Sequence, residues 1–373
     1  VDVSDYKSIN NLIIQISNDW ITNVNDKSIF LKWGDLDSIG CELEIDSKNI
    51  AINLDTFSCF PIYYLKKDNI FFVTSFWADI NSKKDLNEID YVNLAIMKRF
   101  EYIPYNETLI KNVCRLSLMN CLKINYEINK ITLRTSRVNK KLDLIINPTD
   151  AICNIISKSY KKNKKILLPL SSGLDSRHLL ACALKVTESK NIEAYTYTLV
   201  TNKVCFESIV AKELCIKNNI KWTNINIDNF RKYDYESWKW NGGLGGLNGG
   251  YAYLAINQFM KKKNKNDYLV LSGFVGDLLS GKFLREKNLT LNNCITKTSM
   301  NMPPFLRDSI YSQNQFQLKI IKWLELGNLH KLNNNEMLCI GKVQYLSFLW
   351  KCYSDNEINF LTPYVNNQFI SSV

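Results

Sequence analysis

Apolar and polar positions along the chain fall into two styles. From Ser28 to about Thr135, short apolar runs recur (IFLKW, CELEI, NIAINL, IYYL, NIFFVTSF, CLKINYEI and ITLR), broken by Asp, Asn, Ser and Lys. Runs of this kind, punctuated by turn formers, predict β-strands, here in a mainly antiparallel layer. Helices are expected beside it at Tyr6–Trp20 and Asp90–Phe100. After the polar stretch NKKLDLIINPTD, Asn139–Asp150, the pattern changes. Helix Ala151–Lys161, strand Lys165–Leu170, helix Asp175–Lys185, strand Glu193–Leu199, helix Cys205–Lys217 and strand Lys221–Ile227 alternate, as in a parallel sheet with crossover helices. A helix at Ala252–Lys263 and a strand at Tyr268–Leu271 continue the alternation. From Phe305 onward the spacing predicts helices with aromatic stripes such as YLSFLWKCY, which read as core packing. The expected fold class is α/β, with a mainly β domain over residues 1–138 and a parallel-sheet domain over 139–373.

Composition narrows the picture only a little. With 373 residues, 46% of them hydrophobic, the chain can bury the cores of two domains. Its 47 Lys and Arg against 36 Asp and Glu give a net charge of +11, a surface that attracts nucleotides, nucleic acid or anionic lipid. The excess is spread along the chain, and its densest cluster, KKKNK at Lys261–Lys265, reads most simply as a solvated helix end. Eleven cysteines without a CxxC pair, and two histidines, His178 and His330, offer no zinc-like ligand set. Reduced thiols in a cytoplasmic chain are the expectation. No apolar run approaches the roughly 18 residues of a membrane span, and the first residues, VDVSDYKSINN, lack the regions of a signal peptide, so no membrane partner is expected. The sequence opens on Val1 and not on Met, from which a fragment or a processed form is expected.

The stretch KKILLPLSSGLDSRHLLACALK, Lys164–Lys185, carries the first chemical signal. In an open parallel sheet the ligand crevice lies beyond the carboxyl ends of the strands, and Leu170 is such an end. The turn Ser171-Ser172-Gly173-Leu174 would present N–H groups and hydroxyls at the positive end of the following helix, a phosphate site. Asp175 stands where it could bind a magnesium ion held by that phosphate. Ser, Gly and Asp are equally the chemistry of turns and N-caps, so the local pattern leaves the two readings level. Arg177, on the same helix, could reach a phosphate or an acidic substrate, whereas His178 reads as a partly exposed helix residue. A second stretch, WNGGLGGLNGGY at Trp240–Tyr251, holds six of the fourteen glycines. It is read either as a substrate-side loop or lid or as a flexible surface connection.

Resemblance at several separated places shifts the balance. LSSGLDS, Leu170–Ser176, resembles the LSGGLDS pyrophosphate-binding loop of the asparagine synthetase family, with Ser172 in place of the first glycine. LSGFVGDLLSG, Leu271–Gly281, resembles that family's SGxGxDExxxG element, with Ser272, Gly273 and Asp277 in register and Gly281 one position before its last glycine. Between them Phe206–Asp228 is similar to the family's helix-then-strand segment, including Glu207 and Ala211. Upstream, Leu54–Phe76 is similar to the class II glutaminase-type domain of the family, where Asp55, Pro61, Tyr63 and Tyr64 match an RDxxGxxPLYY segment. Met97–Ile124 resembles the stretch that ends that domain, with Tyr102, Pro104, Thr108 and Leu109 in place. The likeness extends from about Phe30 to Tyr364.

The resemblance implies a glutaminase-like (Ntn-type) α+β domain followed by a PP-loop, adenine nucleotide α-hydrolase-like synthetase domain. It implies a reaction in which a carboxylate attacks the α-phosphorus of ATP, releasing pyrophosphate, and an amine then attacks the acyl-adenylate, releasing AMP. Ser171, Ser172, Gly173, Leu174 and Ser176 would hold pyrophosphate, with Ser272 and Gly273 beside them. Asp175 and Asp277 would be the catalytic magnesium ligands, and Leu168, Thr198, Leu199 and Val200 would lie against adenine and ribose. Glutaminase chemistry is not expected, because it needs an N-terminal cysteine, whereas the first cysteine here is Cys41. Retention of such a domain without its chemistry is the arrangement of the family's β-lactam synthetases and lasso-peptide cyclases. At the positions where members carry a base for the incoming amine stand Phe274 and Asn359, neither of which accepts a proton, with Glu357 two residues from the latter. The family's later lysine has no counterpart before Val373.

The expected partners are a small-molecule or peptide carboxylic acid and an amine, with a homodimer or a partner subunit also in view. Two other readings stand beside the ligase. One is a tRNA-modifying PP-loop adenylating enzyme, to which the net charge lends support although nucleic acid is disfavoured. The other is a degenerate synthetase acting as a binding subunit.

Overall fold

The computed structural model describes residues 12–15, 21–24, 28–34, 39–55, 58–67, 70–75, 88–100, 103, 106–116, 121–125, 127–128, 130–134, 147–199, 205–227, 249–276, 318–319, 321–322, 325 and 358–372. The chain divides into two compact units. The first comprises Val1–Val138, Trp238–Gly246 and Gly281–Ser347; the second comprises Asn139–Ser237, Leu247–Ser280 and Phe348–Val373.

In the first unit the short apolar runs form two sheets. Strands β1 (Leu12–Gln15), β2 (Ile21–Val24), β3 (Ser28–Gly34), β4 (Gly40–Asp46), β5 (Asn49–Leu54), β6 (Tyr63–Lys67), β7 (Ile70–Thr74), β8 (Cys114–Arg115), β9 (Cys121–Asn125) and β10 (Lys130–Arg134) are joined by helix α1 (Tyr91–Phe100). Six strands pair antiparallel in the order β10-β9-β5-β4-β3-β2, and four pair in the order β1-β7-β6-β8. The helix expected over Tyr6–Trp20 is overturned at its centre. LIIQ is a strand, paired parallel with β7 from Leu12↔Phe71 to Gln15↔Thr74. Two β-branched isoleucines suit a ladder beside the FFV run better than an isolated helical turn.

A buried carboxylate organises the turn after β5. Asp55 is fully buried, and its oxygens accept the backbone N–H groups of Cys59 at 2.8 Å and Phe60 at 3.0 Å. Ser58 there takes a left-handed backbone, φ 52°, and its carbonyl accepts from the buried Arg115 guanidinium at 3.3 Å. The Asp, Pro and paired tyrosines of this segment therefore build and bury a turn. Among the described residues, a single lysine gathers polar groups elsewhere in the unit: Lys319 reaches Asp90, Asn93 and Glu107 at 2.6–2.9 Å.

The second unit has the expected alternation. Helix α2 (Pro148–Ser159) leads to β11 (Lys165–Pro169), α3 (Leu174–Val186), β12 (Ile192–Thr198), α4 (Phe206–Lys217), β13 (Lys221–Asn226), α5 (Gly249–Met260), β14 (Tyr268–Leu271), β15 (Asn359–Leu361) and α6 (Asn367–Ile370). Helix α2 starts where its sequence says it should, with Pro148 in the first turn and the Asn147 side chain capping Thr149 N–H at 2.8 Å. All five strands are parallel, in the order β13-β12-β11-β14-β15. Alternate residues serve two cores. Ile166, Leu168 and Leu170 of the β11 segment pack with α2, α3 and α4, while Leu167 packs with Ala255, Ile256 and Phe259 of α5. Burial on both faces explains the near-continuous apolar runs of the inner strands β11 and β14, whereas the edge strand β13, KWTNIN, is mostly exposed or half-buried. No helix among the described residues is long and apolar enough to cross a membrane, and the eight described cysteines are free.

At the amino edge of this sheet lies a compact charge cluster. Glu193, 3% exposed at the start of β12, receives Lys165 at 2.7 Å, Lys263 at 2.6 Å and the Tyr268 hydroxyl at 3.4 Å. The Lys263 ammonium also lies 3.6 Å from the centre of the Phe259 ring. One member of the KKKNK cluster is thus a structural ion, and Lys261 and Lys262 are the solvated ones. Burial raises the Glu193 carboxyl pKa, but its bonds to Lys165 and Lys263 outweigh that and hold it below the ordinary 4.5. Its stabilising contribution is therefore complete above pH 4.5 and is lost as pH falls through the lowered folded value. Glu193→Gln is expected to cost about 1–3 kcal/mol near pH 7 and to flatten that acid limb, as read from urea unfolding at several pH values.

Candidate active site

Strand order alone locates the crevice. Starting from β11, the chain builds outward through β12 and β13, then crosses to add β14 and β15 on the other side. The reversal lies between β11 and β14, and open parallel sheets bind ligands beyond the carboxyl ends of the strands at such a point. The segment that follows β11 is Leu170–Gly173; the segment that follows β14 is Ser272–Gly276. The two loops singled out in the sequence therefore leave the same edge of neighbouring strands.

The first loop is tied into shape from within. Leu170 N–H bonds Tyr195 O at 2.8 Å, and the Leu170 carbonyl accepts the buried Thr196 hydroxyl at 2.7 Å, which itself accepts from Trp222 Nε1 at 3.0 Å. Beyond that clamp Ser176 closes the loop. Its Oγ accepts Ser171 N–H at 3.2 Å, lies 3.1 Å from Ser171 Oγ and 3.2 Å from Gly173 O. Ser171 Oγ in turn accepts Gly173 N–H at 3.1 Å. The Ser176 hydroxyl is thus turned into the loop as its knot, while Ser172 is half-buried and Gly173 and Leu174 are exposed. Gly173 is the N-cap of α3 and supplies no side-chain cap. The first backbone bond of the helix is Arg177 N–H to Gly173 O, 3.3 Å. In an α-helix the N–H groups of the first turn precede the first i→i−4 bond, and such an end suits an anion.

The second loop presses on the first. A Cβ placed on Gly276 would lie 2.5 Å from Asp175 Cγ, and one on Gly273 would lie 3.4 Å from Ser176 N. Glycine at 276 is therefore what lets the Asp175 carboxylate occupy its place. Between them Val275 is buried with φ 60°, at the motif position where SGxGxD carries its second glycine. A β-branched residue in the left-handed region stores strain of about 1–3 kcal/mol. Phe274 is buried and apolar. Asp277, Gly281, Val200, Glu357, Tyr102, Pro104 and most of the glycine-rich stretch lie outside the described residues.

A third segment completes the surroundings, and sequence reasoning gave it little weight. β15 adds to β14 in parallel from Leu269↔Asn359 to Leu271↔Leu361, and Ser272 N–H continues that ladder to Leu361 O at 2.9 Å. Three residues on, the Tyr364 hydroxyl donates to the Asp175 carbonyl at 3.0 Å and lies 3.2 Å from His178 Nδ1. His178 Nε2 lies 3.1 Å from Thr149 Oγ1. Because Tyr364 gives its proton to Asp175, the imidazole carries its own on Nδ1 and accepts from Thr149 on Nε2. Burial, more than the opposing pull of Asp175, holds the imidazole below its usual pKa of 6.5, in keeping with this neutral form. His178 is a bonded strut between α2, α3 and the 363–365 turn. The FLTPYVN string gave the only sequence signal, a tyrosine after proline.

The remaining expected contacts line the same edge. Thr198 ends β12 and gives its hydroxyl to Asn226 at 2.7 Å, with half-buried Leu199 just beyond it. Leu168, two residues inside Leu170, is fully buried, so only its backbone faces the neighbouring strands. Asn359 is exposed. No group of three His, Cys, Asp or Glu side chains is gathered among the described residues. Asp175 is the described carboxylate at the loop, which suits magnesium, an ion commonly held by one or two carboxylates together with substrate phosphates and water.

No protein-family model matches this chain, and no curated protein matches it. Among solved structures it is similar to an NH3-dependent NAD synthetase from Campylobacter jejuni subsp. jejuni in complex with the nitrate ion. The identity is 15%, over 53% of this chain and 91% of that one, with a TM-score of 0.29. It is also similar to a glutamine-dependent NAD+ synthetase from Acinetobacter baumannii in complex with ADP, at 12% identity over 68% of this chain and a TM-score of 0.27. The match covers 52% of the latter chain, about half its length.

The contact between the loops makes a direct prediction. Gly276→Ala is expected to displace Asp175 and to cost about 1–3 kcal/mol by overpacking. Gly273→Ala, with its closest added contact at 3.4 Å, is expected to cost less; urea unfolding of the two variants checks the order.

Proposed function

We propose that the chain is an ATP-dependent, AMP-forming carbon–nitrogen ligase of the asparagine synthetase type, which activates a carboxylic acid for attack by an amine. The observation that carries this is the convergence of SSGLDS and SGFVG at the strand-order reversal, with Gly276 against Asp175. In this reading the N–H groups at the start of α3, with Ser171, Ser172 and Gly173, cradle pyrophosphate, and Ser176 keeps that cradle in shape. Ser272 and Gly273 flank it. Thr198, Leu199 and Val200, with the backbone near Leu168, face adenine and ribose. Asp175, with Asp277, holds Mg²⁺, which when bound offsets the charge that builds on the phosphates.

The chain's own contribution to the first step is preorganisation. Donors fixed by the Ser171–Ser176 knot and by the Tyr364 bond to the helix need no rearrangement as charge develops on the leaving pyrophosphate. For the second step, Phe274 and Asn359 supply no base, so the amine is taken up unprotonated or loses its proton to another group. The acid belongs to a peptide, an amino-acid-derived metabolite or a sugar uronic acid, and a cytoplasmic enzyme is the natural setting. Phe274 and Asn359 also favour a second reading, a nucleotide-binding subunit without turnover.

The test is release of AMP and pyrophosphate from ATP and Mg²⁺ over a panel of such acids. Asp175→Asn is expected to lower that release on the order of a hundredfold and to weaken nucleotide binding. If no acid elicits AMP and pyrophosphate, and Asp175→Asn binds nucleotide as the parent does, the proposal fails. Nucleotide binding sensitive to Asp175 without turnover on any acid would point to the subunit, and RNA binding that weakens steeply with salt to the RNA-modifying alternative.

A further inference from the structure

Thr362 occupies a telling place in the chain. The residue before it, Leu361, accepts the Ser272 N–H, and two residues after it Tyr364 bonds the Asp175 carbonyl. Thr362 thus lies between a tether to each motif loop. Side-chain parity gives its direction: Phe360 packs into the core on the α5 side and Leu361 into the opposite one. Continued alternation turns Thr362 to the α5 side, as it turns Ser272 after Val270. Both residues are buried, at 2% and 5% exposure.

The hydroxyl of Thr362 has no partner among the described residues. The residue is the N-cap of the 3-10 turn Pro363–Val365, where a threonine oxygen ordinarily accepts a backbone N–H, yet it makes no cap bond. Its Oγ1 is buried and finds no hydrogen-bond partner among the described residues. Native structures rarely leave such an atom orphaned without a ligand or an ordered water to explain it.

We infer that the Thr362 hydroxyl is a ligand contact: it donates to an anionic oxygen of the molecule bound on the β14–β15 side of the crevice. Two molecules of the proposed reaction carry that chemistry, the polyphosphate of ATP and the carboxylate of the acid. The positive amino end of α3 favours an anion at this edge over an ammonium group. The inference rests on the nucleotide reading of the crevice, and it adds a specificity residue from the last strand of the sheet.

Thr362→Val and Thr362→Ser in the full chain test it. Three quantities are read: unfolding temperature without ligand, affinity for α,β-methylene-ATP with Mg²⁺ by calorimetry, and KM for the acid that elicits pyrophosphate release. Valine is expected to leave the unfolding temperature unchanged or higher, since it removes an unpaired polar atom. It should also weaken one ligand about tenfold or more. A loss for α,β-methylene-ATP assigns the contact to phosphate; a loss confined to the acid assigns it to the carboxylate. Serine, which keeps the hydroxyl, is expected to restore the affinity. Unchanged affinities in the valine variant, or a loss that serine does not restore, overturn the inference. If valine folds poorly, Thr362→Ala makes the same comparison. Failure of the nucleotide reading shows separately, as α,β-methylene-ATP binding that ignores Asp175→Asn.

Discussion

The second unit depends on one pairing: β11 and β14 lie side by side and point the same way. Parallel strands release their following segments at the same edge, so two stretches of chain a hundred residues apart are obliged to meet there. The first carries Gly173 and the second Gly273 and Gly276, and the meeting is close enough that a single added carbon at Gly276 would collide with Asp175. Everything proposed about chemistry follows from that forced proximity. Had β14 joined at the far side of β13, the same two sequences would form separate turns without a shared ligand.

The two edges of the sheet are electrostatically unlike. At the amino edge a buried carboxylate is met by two ammonium groups and a phenol, all bonded to it. Among the described residues, the groups at the carboxyl edge include helix-end amides, hydroxyls and Asp175. That asymmetry makes the carboxyl edge the one suited to an incoming anion and the amino edge a cross-link between β11, β12, β14 and the turn after α5.

How far the sequence revealed this depended on the range of the interaction. Strands β11 to β14 and their helices were legible within a few residues, most plainly β11 and β14, which are nearly unbroken apolar runs buried on both faces. The Ser171–Ser176 loop was legible as a motif, but the inward turn of the Ser176 hydroxyl was not, since nothing local says which way an oxygen faces. LIIQ misled because three apolar residues and a glutamine do not declare a period; only the neighbouring β7 makes them a strand. His178 was read as a partly exposed helical residue, which its half-buried place agrees with, but its bonds were not legible because their partners, Thr149 and Tyr364, lie 29 and 186 positions away. Lys263 was hidden in a run of lysines for the same reason: Glu193 is 70 residues distant. The strain at Val275 had a readable trace, a valine where the motif has glycine, although its φ could come only from the fold.

The bond from Tyr364 to the Asp175 carbonyl spans 189 positions, and it bears on how the protein is made. Closing so long a loop carries an entropic cost that must be met before the contact returns anything, and such distant contacts generally form late. During synthesis the Ser171–Ser176 loop would emerge, and its helix could pack on β11, well before the segment that braces it exists. The crevice would then acquire its final shape only when β15 docks, and until then the two loops would lack that brace. Slow docking of that last strand, observable as a late phase in refolding, would act as a built-in delay between a folded sheet and a working site.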